Sequence, residues 1–487
     1  MGGHSPDSLK SGLVGTKGLL DDEGFRRAAE ICAEMEAGEF ETVRVCFIDQ
    51  HGILRGKTLV ADALASAFRS GVAMTSTLLL KDTSHRTVFD VWAADSGFGR
   101  GVLTGAGDFL MVPDPRSFRP LPWSPHSALI LCDIWQADGE ALPLSARGIL
   151  GAAVDRLNAA GMDALFGLEQ EFFVFSVTDE RLAHGDGGMP PRPPETQLLA
   201  HGYQYLTEAR YDALEPVMDE LRRAALAMDL PVRTMEIEFG PSQFEFTFEP
   251  QRAMAAADNA VLFRHCVKSV CARNGLHATF MSRPRVENGM ASGWHVHQSV
   301  TGLGGEENRF MPQAGREPTP TASGWIAGLL EHAVSGCMLT TPTVNGYKRY
   351  LSALLAPDRV QWAHDNKGAM LRALFREGDP ASRIENRTPE PAANPHLALA
   401  SQILAGLDGV TRGLTAPAPV ESPYAGDAKR LPRNLGAAIE AFAASAFWRA
   451  ALGETVADWL TRIKRAEWDR YLSEISEWEH REYFSLF

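Results

Sequence analysis

The segment Arg383 to Pro395, RIENRTPEPAANP, sets an acid midway between two arginines at a spacing of two. In an extended chain alternate side chains share a face, so Arg383, Glu385 and Arg387 point into one space. A carboxylate between two guanidinium forks can bind a divalent cation while the arginines hold phosphate or carboxylate oxygens brought to it. The same spacing also fits an edge strand with a surface ion-pair ladder. Other segments favour the first reading. Glu169 and Glu171 in GLEQEFF are one residue apart in an otherwise apolar stretch, and two buried like charges are costly unless a cation neutralises them. Glu238 and Glu245 flank the turn GPSQ, with Gln243 two residues before Glu245. His295 and His297 in GWHVHQS repeat the pattern with imidazoles, after the permissive backbone Ala291-Ser292-Gly293. A lone strand histidine is usually a satisfied core residue, but two on one face read as ligands. Together Glu169, Glu171, Glu238, Glu245, Glu385 and His295 could form oxygen-rich sites, which suit Mg²⁺ or Mn²⁺ bridging polyphosphate oxygens better than zinc. There is no Walker-type loop, so a nucleotide would be held through its metals and arginines.

The chain that must position these residues has 487 residues and a net charge of -14, enough for more than one domain. Its acidic balance, without a basic block, argues against nucleic acid and anionic membranes as partners. Six cysteines are scattered without CxxC spacing and read as reduced thiols of a cytoplasmic protein. The start, MGGHSPDSLKSG, lacks the apolar core of a signal peptide and reads as a flexible leader over residues 1–20. No stretch approaches the roughly 20 apolar residues of a membrane span.

From Asp21 to Glu36 the apolar spacing predicts a helix, with acids at its start where the dipole favours them. VRVCFID and ILRGKTLV read as two strands around a tight turn, followed by a helix over 61–68. FLMVPD and ALILCDIW are further strands separated by a Pro-rich run, and a domain boundary falls near Leu142. Beyond it strands and helices alternate. FGLEQEFFVF, MEIEFGPSQFEFTF, HATFMSRP and GWHVHQSV read as strands; 147–160, DALEPVMDELRRAALAMD, 252–274 and 322–337 read as helices. Gly/Pro-rich loops at 184–195 and 302–321 are surface insertions, and the last ninety residues read as helical, anchored by Trp448, Trp459, Trp468 and Trp478. The fold class is α+β, with an N-terminal domain over 21–141 and a catalytic domain over 142–487.

The ordered set GLEQEFF, EFGPSQFEF, ASGWHVHQS, TVNGYKRY, DNKGAMLR and RIENRTPEPAANP resembles the glutamine synthetase family, type I and its glutamyl-amine ligase relatives. VRVCFIDQHGILRGKTL and GDFLMVPDPRSFRPLPW resemble its amino-terminal domain, so the likeness runs from about Glu41 to the C-terminus. The resemblance implies a β-grasp domain, a catalytic domain with a curved antiparallel sheet, and subunits in stacked, dodecamer-like rings with active sites between neighbours. It also implies ATP and two or three Mg²⁺ or Mn²⁺ ions. Residue by residue, Glu171, Glu238 and Glu245 match ligands of the metal nearer glutamate, and Glu169, His295 and Glu385 ligands of the metal on the ATP phosphates. His297 and Ser299 match nucleotide contacts, and Arg349 and Arg387 the clamp on the glutamate α-carboxylate. Arg372 and Arg383 match groups on the transferring phosphoryl. The implied chemistry is phosphorylation of the glutamate γ-carboxylate, then attack of an amine on the acyl phosphate.

The sequence departs from the family on the acceptor side. Leu355 stands where a flap glutamate is expected, and TSTLLLKDTSH, with Asp82, replaces the loop whose aspartate helps bind ammonium. Lys367 takes an arginine position, keeping the charge but losing the planar fork. Met290 and Ala291 replace an Asn-Gly that helps hold glutamate, where a backbone contact at Ala291 could survive. An ammonium pocket needs negative charge; losing acids turns it apolar. The expected acceptor is therefore an organic amine with an apolar or aromatic body, such as an aniline. Glutamine synthesis from ammonium is the alternative, and a catalytically silent assembly protein a third reading.

Overall fold

The computed structural model describes residues 4–95, 101–179, 182–305, 307–350 and 355–487. The stretch read as a flexible leader is folded from residue 4 onward. Ser5 caps α1 (Pro6–Lys10) by accepting from Ser8 N, and α2 (Leu13–Thr16) follows. Leu9 and Val14 are fully buried, packed with α3 (Asp22–Glu36) and α4 (Leu64–Ser70). The composition hid this because two apolar residues suffice for helices so short, and Pro6 sits at a helix start, where its missing N–H costs nothing.

In α3, Asp21 caps Gly24 N at 2.8 Å, and Phe25, Ala28, Ile31, Cys32 and Met35 form the buried stripe. β1 (Thr42–Ile48) and β2 (Leu54–Val60) form the expected hairpin, closed by Asp49, which accepts from His51 N and Ile53 N. β3 (Val72–Thr75), β4 (Asp108–Pro113), β5 (Arg119–Pro120) and β6 (Ser127–Gln136) complete a sheet of order β2-β1-β6-β4-β3, with β5 on β6. The β1–β6 pair is parallel and the others antiparallel, as expected for a β-grasp sheet.

After α5 (Ala146–Ala159), capped by Ser145, the chain enters β7 (Met162–Val177), the spine of the second sheet. Its even-numbered Phe166, Leu168, Phe172 and Val174 are buried on one face, which leaves Glu169 and Glu171 on the other. β8 (Thr196–Leu198), β9 (Val232–Ile237), β10 (Gln243–Phe248), β11 (Gln251–Arg252), β12 (Leu276–Thr279), β13 (Trp294–Gly302), β14 (Trp362–His364), β15 (Leu371–Leu374) and β16 (Arg383–Asn386) supply the rest. The order is β14-β15-β16-β13-β7-β10-β9, with β8, β11 and β12 also on β7; only β14–β15 is parallel.

Helices α6 (Glu208–Ala227) and α7 (Ala253–Arg273) flank this sheet, and Phe263 of α7 packs edge-on to Phe172 at 5.9 Å. The helix expected over 322–337 breaks into α8 (Pro320–Glu331) and α9 (Ala333–Thr340) at His332. His332 bonds Asp408 at 2.8 Å and stacks on Phe447, contacts that reward the break. α10 (Pro395–Thr411) crosses α8 so closely that a Cβ on Gly328 would lie 2.0 Å from Ala405 O. The C-terminal region is helical from α11 (Leu435–Ala443) through α12 (Ala446–Leu452), α13 (Glu454–Leu472) and α14 (Glu477–Tyr483). The preceding stretch 413–434 is irregular, contrary to the helical reading, because TAPAPVESP carries prolines that cannot continue a helix. Trp448 and Trp459 are buried anchors, whereas Trp478 is exposed. Arg147 of α5 joins the two parts by pairing with Asp114, Asp133 and Asp258. No single helix among the described residues is long and apolar enough to cross a membrane.

Candidate active site

Strand register turns the spacing-of-two pairs into rows. Glu245 of β10 faces Glu171 of β7 on one side and Glu236 of β9 on the other. In the next row Glu169 faces His295, and in the third His297 faces Glu385, which faces Arg372. Gly167 sits opposite His297, leaving that row open over β7. Register partners lie about 5 Å apart, so one sheet face gathers residues far apart in sequence. Among the described residues, three groups have potential ligand atoms within 4.8 Å of one another: Glu169, His297 and Glu385; Glu169, Glu245 and His295; Glu236, Glu238 and Glu245.

The electrostatics divide along these rows. Burial pushes the Glu171 carboxyl up, with Glu238 adding to the effect. Burial likewise raises Glu245, helped by Glu171 and Glu169, and raises Glu238, helped by Glu236 against a hydrogen bond from Phe239 N. Glu171 is held in place by Gln243 Nε2 and Gly293 N, each donating at 3.0 Å. Crowded acids whose charged forms are disfavoured fit a divalent cation, which would favour their ionised forms.

On the other side, burial opposes ionisation of Glu169, but His295 and His297 bond it at 3.0 and 2.7 Å and hold its carboxyl well below the usual range. Glu385 is fully buried; Arg387, His295 and His297 overcome that burial and hold it at about 2. It accepts from Arg372 Nη1 at 3.0 Å and pairs with Arg387. Arg383 Nε donates to His297 Nδ1 at 3.1 Å, so the other ring nitrogen, Nε2, is the one that carries a proton toward Glu169.

A cavity of about 440 Å³ opens over the rows. Glu169, Glu171, Glu238, Glu245 and His295 line it, with Ala291, Arg349, Leu355, Lys367, Arg372 and Arg387. His297, Ser299, Arg383 and Glu385 lie outside that lining, with Ser299 two residues beyond His297 on β13. Arg349 Nη1 donates to Thr388 O at 2.7 Å and Pro389 O at 3.0 Å, tying its segment to the chain beyond β16. Arg387 Nε is buried with no hydrogen-bond partner among the described residues, a donor available to an anionic ligand. Of the flap segment YLSALLAP, 351–354 lie outside the described residues, while Leu355 is 52% exposed at the cavity. Asp82 is committed elsewhere: it accepts from Ser84 N and Arg86 N and pairs with Arg470 at 3.0 Å.

Glu236, Tyr205 and Phe239 are among the lining residues that sequence reasoning passed over. Glu236 carries the same signal as its neighbours, a spacing of two from Glu238. Tyr205 and Phe239 carry no such signal, because a loop crossing brings them together.

The glutamine synthetase catalytic-domain model matches residues 143–483. The chain belongs to the glutamine synthetase family. It is a C–N bond-forming ligase of that family, whose members use ATP and divalent metal. The γ-glutamylanilide synthase of an Acinetobacter species is 36% identical, over 98% of this chain and all of its own length. The glutamine synthetase of Thermus thermophilus is 34% identical over 78% of this chain and 85% of its own. The solved structure titled "Apo GmaS without ligand" superposes with a TM-score of 0.77 at 27% identity, covering 93% of this chain and 99% of that one.

Proposed function

We propose that this ligase joins an organic amine with an apolar or aromatic body to the γ-carboxylate of glutamate, driven by ATP, through a γ-glutamyl phosphate. The observation that carries the acceptor class is Leu355 on the cavity wall with Glu238, while Asp82 is tied to Arg470. An aniline-like amine is already neutral at pH 7 and needs less help from a carboxylate base than ammonium does. The likeness to a γ-glutamylanilide synthase supports the same class.

In this reading Glu171, Glu238 and Glu245 hold one cation, and Glu169, His295 and Glu385 another, within a set of two or three Mg²⁺ or Mn²⁺. Bound metals would neutralise charge between the two anionic reactants. Arg349 and Arg387 orient glutamate by its α-carboxylate, with the backbone at Ala291 as a further contact. Arg372, Arg383 and Lys367 face the phosphoryl group, where cationic donors offset charge that develops during transfer. His297 and Ser299 contact the nucleotide. Exposed Ile475, Trp478, Phe484, Leu486 and Phe487 at the C-terminal end support a homo-oligomer, read as stacked, dodecamer-like rings. The division into domains at 142 and a cytoplasmic location belong to the same reading.

ADP release with glutamate, ATP and Mg²⁺, across ammonium, alkyl, aryl and polyamines, tests it. Aryl and apolar amines should lead; ammonium leading would overturn the acceptor class. Glutamine synthesis from ammonium is the second reading, favoured by Glu236, an extra carboxylate on the cavity wall that would attract a cation.

A further inference from the structure

After β8 the chain runs across the turn that follows Glu238. Tyr203 N donates to Phe239 O at 2.8 Å and Leu206 N to Ile237 O at 3.3 Å. A Cβ on Gly202 would lie 2.7 Å from Pro241 N and 2.8 Å from Phe239 O, so only glycine lets the two backbones approach this closely. Tyr203 and Leu206 have φ of 66° and 55°, in the left-handed region that L residues enter at a cost. The outcome of this crossing is that the Tyr205 ring lies flat on the Phe239 ring, with centroids 4.3 Å apart and planes 9° apart.

Both rings line the cavity that holds Glu171, Glu238 and Glu245, together with Met290 and Leu355. Tyr205 is 37% exposed and Phe239 half-buried, so the pair keeps ring surface open to a ligand. Carboxylates stand close to the Tyr205 hydroxyl: burial pushes its pKa up, and Glu238, Glu245, Glu236 and Glu171 push it further. Phe239 directly follows Glu238, which ties the aromatic pair to the acidic row through a single peptide bond.

We infer that the Tyr205–Phe239 pair is the wall that recognises the aryl group of the acceptor amine. This rests on the reading of the chain as an amine ligase. An arylamine packed on the pair gains ring contact beyond the area it buries, and an alkylamine lacks that gain. A neutral amine gains little from the surrounding carboxylates, so apolar ring surface must supply its affinity. The bond from Phe239 to Glu238 fixes the distance between this surface and the acidic row, which orients the acceptor nitrogen relative to glutamate.

The test is steady-state kinetics of the full chain with glutamate, ATP and Mg²⁺, using aniline and ethylamine as paired acceptors. Tyr205→Ala and Phe239→Leu should each lower the aniline-to-ethylamine ratio of kcat/KM by about tenfold, chiefly through KM for aniline. Tyr205→Phe should restore most of the ratio lost in Tyr205→Ala. Ethylamine turnover reports that each variant is folded. A ratio that stays put, or loss of both amines together, overturns the inference while leaving the ligase reading intact. An unmodified protein that uses ethylamine but no arylamine also overturns it, and one that uses no amine at all overturns both.

Discussion

Glu245 and Glu171 are register partners on adjacent antiparallel strands, and both are buried. Two carboxylates facing each other in a dry site repel unless a proton or a cation intervenes. Glu245→Gln removes one charge while keeping the shape. The metal-free variant should therefore be at least as stable as the unmodified protein, yet gain less from Mg²⁺. At a hundredfold excess over Kd a bound ion stabilises the unmodified fold by about 2.7 kcal/mol per site. Thermal melts with chelator and with Mg²⁺ measure both quantities. An unchanged Mg²⁺ gain in the variant would remove Glu245 from the ligand set.

Glu385 is the carboxylate between Arg372 and Arg387, with no surface exposed to solvent. Glu385→Gln should fold but lose at least about a hundredfold in turnover, the scale seen when one charge-stabilising group is removed. The check is single-turnover formation of ADP alongside a circular dichroism spectrum. A folded variant with activity near that of the unmodified protein would contradict the assignment of Glu385 as a metal ligand.

Leu355 tests the apolar character of the acceptor side. Leu355→Glu should raise use of ammonium and cationic alkylamines relative to aniline. Because the position is 52% exposed, the added charge is worth about 1 kcal/mol, a shift of about fivefold in the kcat/KM ratio. Competition assays read that ratio directly, and an unmoved ratio would place Leu355 outside the acceptor site.

Asp258 sets an acid limit remote from the site. Burial pushes its carboxyl up, but Arg147 and His396 prevail and hold it at about 2. The unfolded chain then takes up a proton at higher pH than the folded one. Its contribution, about 2 kcal/mol, is complete above the unfolded pKa of about 4 and is lost as pH falls toward 2. Urea melts of the unmodified protein and Asp258→Asn should show a stability gap that is wide at pH 5 and narrows below pH 4. A gap independent of pH would show that the Asp258 charge does not set it.

The residue pairs of the site were legible because a strand repeats every two residues, so GLEQE, WHVHQ and RIENR each declare a shared face. Which pair faces which was not. The opposition of Glu236 to Glu245 depends on the turn at GPSQ, and that of Arg372 to Glu385 on how β15 and β16 align. Tyr205 meets Phe239 only because left-handed residues turn a loop back on itself. Elsewhere local composition misled. Leu9 and Val14 were too few to mark the first helices, the break at His332 is set by its partner Asp408, and the prolines of 413–434 were overlooked in a region otherwise helical.

The proposed acceptor is an apolar or aromatic amine and not ammonium. The most direct measurement is a single reaction containing glutamate, ATP, Mg²⁺ and equal concentrations of aniline and ammonium, with the products weighed by mass spectrometry. γ-Glutamylanilide should predominate over glutamine. Glutamine as the main product would contradict it.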